Sequence, residues 1–421
     1  ARGQIASRGG GFDWVRKQNG SQDRLERLAA FMNTAQALAS SGYVLGGGKP
    51  QHLELQPMLQ GTRIHRAADE GPTRDAKDPN AAAPEVPPIT PNVVYDQDGL
   101  TVLDAAVKVS KEGKKAVAVN AASAYSVGGG VMSGGRHALE ESCCITSTLL
   151  ASLQKAQWDQ LQTEEGAAAA HGSEGYHAHV PVDGCIVSPF VEVFREGSND
   201  GYGFLPSPVK LQGVCSVAMF NMNPRVSDSP LDAPRDFKTY CRQAKMKFRS
   251  VVMSAVKLGA EVLVCPDVGC GVFGNDPEVL GTMLGQVLRE PEARVQVLLT
   301  GQVAFAEAVK RAASGVEVEL TPPAYFSQVY GKSSSGSGRS QKAWRSKDER
   351  PVVATLVTPA DSGGVGGTAG ANPVVVAGAG AVASDVAGTP AAATHVAGTP
   401  APATHVASTA AAEPVTGITD F

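Results

Sequence analysis

The sequence predicts an α/β layered domain with a largely parallel or mixed central sheet over about residues 21–325. Apolar runs of strand length recur along this stretch with helical patterns between them. Two of those runs hand over to glycine-rich loops that lead into helices, as at the carboxyl ends of strands in sheets that bind nucleotides. Strands buried on both faces lose the apolar-polar alternation of a half-solvated sheet, so continuous apolar text between helices points to helices on both faces.

Residues 1–20 are rich in Gly and Arg and are expected to be disordered. Over 23–41, Leu25, Leu28, Phe31, Met32, Ala35 and Leu38 fall at helical spacing and the pattern stops at Gly42, which predicts an amphipathic helix. Residues 66–91 are Ala, Pro, Asp and Glu with little periodicity and read as a surface loop, and order resumes at Val93. Strands are then expected over 116–120, 185–195, 214–221, 260–267 and 294–300, and helices over 101–111, 143–161, 237–258, 277–289 and 303–313. Residues 326–421 read as linker and disordered tail. A basic stretch (Lys332, Arg339, Lys342, Arg345, Lys347, Arg350) is followed by a segment without Lys or Arg, in which a Pro/Ala-rich near-repeat of ten residues starts at Asp385, His395 and His405. A repeat so poor in large apolar side chains has little to bury, and no catalytic role is expected of it.

A formal net charge of -4 over 421 residues gives no global basic field, so direct nucleic-acid binding is not expected and any phosphate-bearing ligand needs a local site. No run approaches the roughly 18 apolar residues of a membrane span. The seven cysteines have no CxxC spacing and are expected to be reduced, mostly buried thiols. The chain opens Ala-Arg-Gly-Gln, which leaves an N-terminal targeting signal unjudged; the expected setting is intracellular, cytoplasm or nucleus, and the expected state a monomer.

Residues 116–153 carry the densest chemical signal: AVAVNAASAYSVGGGVMSGGRHALEESCCITSTLLASL. Asn120 ends a strand, and Gly128, Gly129 and Gly130 allow a backbone to pass close to a ligand and turn N–H groups toward phosphate oxygens, with Arg136 a candidate for added charge. Glu140 and Glu141 open the helix that carries Ile145, Leu149 and Leu153, where the helix dipole favours carboxylates whatever their chemistry. Each part is common, but a strand-end Asn, a triple glycine and a Glu pair about ten residues on are expected to converge on one pocket. Residues 261–288, EVLVCPDVGCGVFGNDPEVLGTMLGQVL, repeat the strand, loop and helix plan. Gly269, Gly271 and Gly274 lie in the loop, Asn275 or Asp276 is the expected N-cap, and Pro277 suits the first helical position, a second anion site. Phe273 is placed to pack on a sugar or base, or in the core.

These segments resemble the microbial-type poly(ADP-ribose) glycohydrolases, in which a triple glycine, a gap of six to eight residues and Gln-Glu-Glu follow one another. Here residues 131–138 form the gap and Leu139-Glu140-Glu141 follows. CIVSPFVEVFR from Cys185, PDVGCGVFGNDPE from Pro266 and the helix RLAAFMNTAQALASSGY from Arg27 extend the similarity to most of residues 20–312. The resemblance implies a three-layer α/β/α macrodomain-like fold with a mixed sheet and an N-terminal helical extension. By position it implies that Glu141 is the catalytic glutamate, that Glu140 helps hold the ribose, that Asn120 lies near the distal ribose, and that Gly128, Gly129 and Gly130 with Gly269, Gly271, Val272, Phe273 and Gly274 form the diphosphate and ribose contacts. Leu139 in place of the usual Gln, and Ser126 and Val127 where Asn and Pro are common, depart from the pattern.

The activity so implied is hydrolysis of ribose–ribose bonds in poly(ADP-ribose), without metal or cofactor, on the free polymer or an ADP-ribosylated protein. Glu141 would protonate the leaving oxygen and then help activate water. A non-catalytic ADP-ribose reader and a hydrolase of mono-ADP-ribosyl groups or related nucleotide metabolites are the alternatives; a Rossmann dehydrogenase is disfavoured because the glycines at 128–130 are contiguous and no GxGxxG opens a helix directly. His171, His177 and His179 are expected on an exposed loop without metal, and Cys143 and Cys144 to serve helix packing.

Overall fold

The computed structural model describes residues 21–67, 92–135, 138–163, 177–226, 229–323, 355–356 and 374–375. Residues 1–20, most of 66–91, Arg136, His171 and almost all of 326–421 therefore lie outside the described residues. The chain divides into two units, Ala1–Ala379 and Gly380–Phe421, the second wholly outside them.

Seven strands form the central sheet: β3 (Arg63–Arg66), β4 (Val93–Tyr95), β5 (Ala116–Ala121), β6 (Gly184–Pro189), β9 (Gly213–Val217), β10 (Val262–Cys265) and β11 (Gln296–Leu299). Their order is β3-β6-β9-β5-β10-β11-β4. The five strands from β9 to β4 run parallel, and β6 is antiparallel to both β9 and β3, so the sheet is mixed as expected. Side-chain parity divides the core in two: Val117, Val119, Leu263 and Cys265 face one layer, Ala116, Ala118, Val262 and Val264 the other. The first layer is α6 (Phe237–Lys257), α7 (Pro277–Val287) and α8 (Val303–Ala313); the second is α3 (Val102–Lys111), α4 (Leu139–Thr146) and α5 (Leu149–Leu161), joined by α1 (Ser21–Ala39) and α2 (Leu55–Gly61). Gly281 and Gly285 let α7 and α8 touch, since a Cβ at either position would lie 2.5 Å from a carbonyl oxygen of α8.

Three expected elements are corrected. The helix expected over 143–161 is two, α4 and α5. They part at Ser147, which turns extended (φ -141°, ψ 176°) while its Oγ donates to the Cys143 carbonyl at 2.7 Å, and Thr148 exchanges hydrogen bonds with Glu192, which begins strand β7 (Glu192–Arg195). The strand expected over 185–195 is β6 and β7, parted where Pro189 has no N–H to give and Phe190 takes φ +56°. The strand expected over 214–221 stops at Val217, beyond which the chain turns into a loop. Short strands β1 (Gly42–Val44), β2 (Pro50–His52), β3 and β8 (Phe204–Lys210) lack apolar runs and escaped the sequence analysis, which also placed Arg66 in a loop rather than at the end of β3. Residues 355–356 pair antiparallel with 374–375, within the segment expected to be disordered.

All seven cysteines are free thiols and five are buried. No helix among the described residues is long and apolar enough to cross a membrane.

Candidate active site

β9, β5 and β10 are parallel neighbours, so their carboxyl ends place three loops side by side. Asn120, next to last in β5, is fully buried; its Nδ2 donates to Ser216 Oγ on β9 at 3.1 Å, and its Oδ1 has no hydrogen-bond partner among the described residues. In the loop that follows, Ser123 Oγ accepts from the Tyr125 and Ser126 N–H groups. Gly128 and Gly129 then take φ of +75° and +59°, a region that costs other residues strain.

The backbone this creates meets the glutamate pair in the first turn of α4. Glu140 accepts from Ser123 N–H at 2.7 Å on Oε2 and from Gly128 N–H at 3.2 Å on Oε1. Glu141 Oε1 accepts from Gly130 N–H at 2.8 Å, and a Cβ on Gly129 would lie 2.6 Å from that oxygen. Both carboxylates are buried. The strand-end Asn, the triple glycine and the Glu pair thus belong to one locality. The use of the glycine N–H groups differs from the sequence expectation of a phosphate nest: Gly128 and Gly130 hold the carboxylates, and Gly129 N–H donates to the Ser126 carbonyl at 2.9 Å. Leu139 packs half-buried against the core, and backbone N–H groups reach both carboxylates of the pair.

The second loop, after β10, is fixed by Asn275. Its Nδ2 donates to the Phe220 and Gly269 carbonyls, and its Oδ1 accepts from Tyr240 Oη at 2.8 Å. Asp276 caps α7 through the Glu278 and Val279 N–H groups with Pro277 in the first turn, as expected. Gly271 and Val272 are exposed, Phe273 and Gly274 half-buried, and Gly269 and Gly274 have positive φ. The third loop, after β9, clasps the second: Met222 N–H donates to the Phe273 carbonyl and Asn223 Nδ2 to the Val272 carbonyl. Its own fold is held by Asp232 Oδ1, which accepts from Asn221 N–H at 2.7 Å.

Several residues of this neighbourhood escaped the sequence analysis. Arg24 and Arg27 of α1 donate to the carbonyls of Ser133, Gly134 and Gly135, holding the far end of the glycine loop. Lys247 of α6 is 3 % exposed, donates from Nζ to the Ala218 carbonyl at 2.8 Å and lies 4.5 Å over the Phe220 ring. Desolvation pushes its pKa down to about 8, against the pull of Asp232 and Asp183. Below pH 8 the native and unfolded chains both carry this proton and the full cost of burying the charge is present; from about 8 to 10.5 the native chain releases it first and stability rises with pH. Lys247→Met is therefore expected to raise stability at pH 7 by about 1–2 kcal/mol, the lost hydrogen bond offsetting part of the recovered desolvation. Urea unfolding at pH 7 and pH 10 checks this: the variant's advantage should shrink at pH 10, and a less stable variant at pH 7 would contradict it.

The histidine expectation is corrected: His179 is fully buried rather than on an exposed loop, its backbone tied to Ala124 and Gln160, and burial pushes its pKa down to about 4. His177 is half-buried. No three His, Cys, Asp or Glu among the described residues are grouped to hold a metal. Burial, reinforced by Glu140 and Glu141, pushes the Cys143 and Cys144 thiols well up, which suits packing and opposes a nucleophilic role.

Residues 32–196 match the family model described as microbial-type PARG, catalytic domain, PARG being poly(ADP-ribose) glycohydrolase. No curated protein matches the sequence significantly. Among solved structures, the Thermomonospora curvata poly(ADP-ribose) glycohydrolase bound to the inhibitor ADP-HPD superposes with TM-score 0.50 at 22% identity, covering 69% of this chain and 98% of that one. A second structure of the T. curvata protein matches at TM-score 0.50 and 23% identity over the same shares. The Deinococcus radiodurans glycohydrolase in complex with ADP-ribose matches at TM-score 0.44 and 23% identity, covering 62% of this chain and 98% of that one. Residues 32–196 thus carry the match to the microbial-type PARG catalytic domain, within a chain whose fold is that of the T. curvata glycohydrolase.

Proposed function

We propose that this protein hydrolyses the ribose–ribose glycosidic bonds of poly(ADP-ribose) and releases ADP-ribose, with residues 21–325 as the catalytic unit. The family match over 32–196 supports the reaction, and the carboxylate pair held by Ser123, Gly128 and Gly130 N–H groups supports its chemistry. Breaking such a bond passes through an oxocarbenium-like transition state, in which the leaving oxygen must be protonated and water then activated. Glu141 is assigned both tasks. Glu140 has each oxygen engaged by backbone, which suits a group that holds the loop and the ribose rather than one that shuttles a proton. A buried acceptor without a partner costs about 1–3 kcal/mol, and a ribose hydroxyl donating to Asn120 Oδ1 would recover that. The loop from Gly269 to Gly274 is assigned the diphosphate, with Phe273 beside the sugar. The protein acts as a monomer on the polymer or on an ADP-ribosylated protein.

The test is to incubate the full chain with labelled poly(ADP-ribose) and with a mono-ADP-ribosylated peptide, and to measure released ADP-ribose alongside calorimetric binding of free ADP-ribose. Saturable release from polymer is expected. Binding without release from either substrate identifies a reader, and release from the peptide alone a hydrolase of mono-ADP-ribosyl groups.

A further inference from the structure

Tyr125 lies in the glycine loop between Ser123, whose N–H holds Glu140, and Gly128, whose N–H holds the other oxygen of the same carboxylate. Its hydroxyl leaves that loop and donates to Asp232 Oδ2 at 3.1 Å, reaching the loop after β9. Burial and the Asp232 charge push the phenol well up, so it remains a donor. Asp232 uses its other oxygen for Asn221 N–H at 2.7 Å; Asn221 Oδ1 accepts from Asn223 N–H at 2.9 Å, and Asn223 Nδ2 donates to the Val272 carbonyl at 2.8 Å. Hydrogen bonds linked through the covalent chain therefore connect the Glu140 carboxylate, by way of Ser123, Tyr125, Asp232, Asn221 and Asn223, to the backbone of the Val272–Phe273 turn. They cross between loops that belong to three different strands.

We infer that the Tyr125–Asp232 hydrogen bond is a clasp that sets the separation of the glycine loop, which holds the glutamates, from the Val272–Phe273 loop, making both side chains positioning residues for the proposed hydrolysis. The inference rests on that reading of the site. Bond cleavage requires Glu141 and the anchored diphosphate to be in register at the same moment, and small misplacements of reacting groups reduce rate far more than they reduce binding. The two loops leave separate strands, and the clasp is a side-chain bond between residues 107 apart in sequence. Neither residue is assigned a contact with the reacting atoms, and Tyr125→Phe removes one oxygen while keeping the ring that packs against the core.

The experiment compares wild type, Tyr125→Phe, Asp232→Asn and the double variant for kcat and KM on poly(ADP-ribose), Kd for free ADP-ribose, and thermal midpoint. Tyr125→Phe is expected to lower kcat about tenfold with KM changed less than about threefold, at a thermal midpoint within about 2 °C of wild type. The double variant should match the worse single within about twofold, because both changes act on the same bond. A Tyr125→Phe kcat within twofold of wild type, or a loss that disappears when activity is referred to folded protein, overturns the clasp. If wild type binds ADP-ribose but releases none, the glycohydrolase reading fails and the clasp is judged on Kd: about threefold or more weakening upholds it, and no change overturns it. Wild type that neither binds nor releases ADP-ribose overturns both.

Discussion

Glu141→Gln is expected to lower the rate of ADP-ribose release by about 10³-fold, the scale of a lost general acid and base, while binding of free ADP-ribose stays within several-fold of wild type. The amide is nearly isosteric and can still accept from Gly130 N–H through its oxygen, so the glycine loop keeps its hold on residue 141. What is removed is the proton that the leaving ribose oxygen needs. Single-turnover release from labelled polymer, with calorimetry on the same preparation, separates chemistry from affinity. Turnover within tenfold of wild type would remove Glu141 from the mechanism and make Glu140 the residue to test next.

Gly129→Ala should reduce kcat by about 100-fold through geometry alone. The added methyl carbon would stand 2.6 Å from Glu141 Oε1 and 2.9 Å from its carboxyl carbon, and the residue would have to hold φ near +59°. The carboxylate is the far end of a flexible side chain, so it swings away and gives up the Gly130 N–H. The backbone conformation costs the fold only about 1 kcal/mol, and a thermal midpoint lowered by a few degrees is expected. A variant with near-normal turnover would mean that Glu141 does not act from the position seen against Gly129 and Gly130. A variant that fails to fold would show the loop to be more rigid than this geometry requires.

Much of the fold is legible in the sequence because its signals are local. Runs such as AVAVN and EVLVC bury alternate residues in the two helix layers, and Asp276-Pro277 states where α7 begins. The Asn, triple glycine and Glu pair were also legible, since all lie within one strand-loop-helix unit. The direction of the glycine N–H groups was not, because spacing shows that a loop turns and leaves open which acceptor it meets. Lys247 sits in a helix rich in Lys and Arg, where nothing in the local pattern marks it out from its solvated neighbours. Tyr125 with Asp232, and Arg24 and Arg27 with the loop from Ser133 to Gly135, join residues more than a hundred positions apart, for which no periodicity exists. The break between α4 and α5 follows from β7 packing into it, a tertiary event that overrides a continuous helical pattern.

The arginine contacts of α1 bear on where this machinery can be cut. The family-model match begins at residue 32, yet Arg24 and Arg27 lie one to two helical turns earlier, with Arg27 buried and bonded to the backbone that follows Val131 and Met132. A fragment trimmed to the recognisable boundary would keep every residue of the glutamate and glycine constellation and lose the struts that brace it from outside. In this chain the stretch that the family model matches and the unit that braces the glycine loop start at different residues, and the second starts earlier.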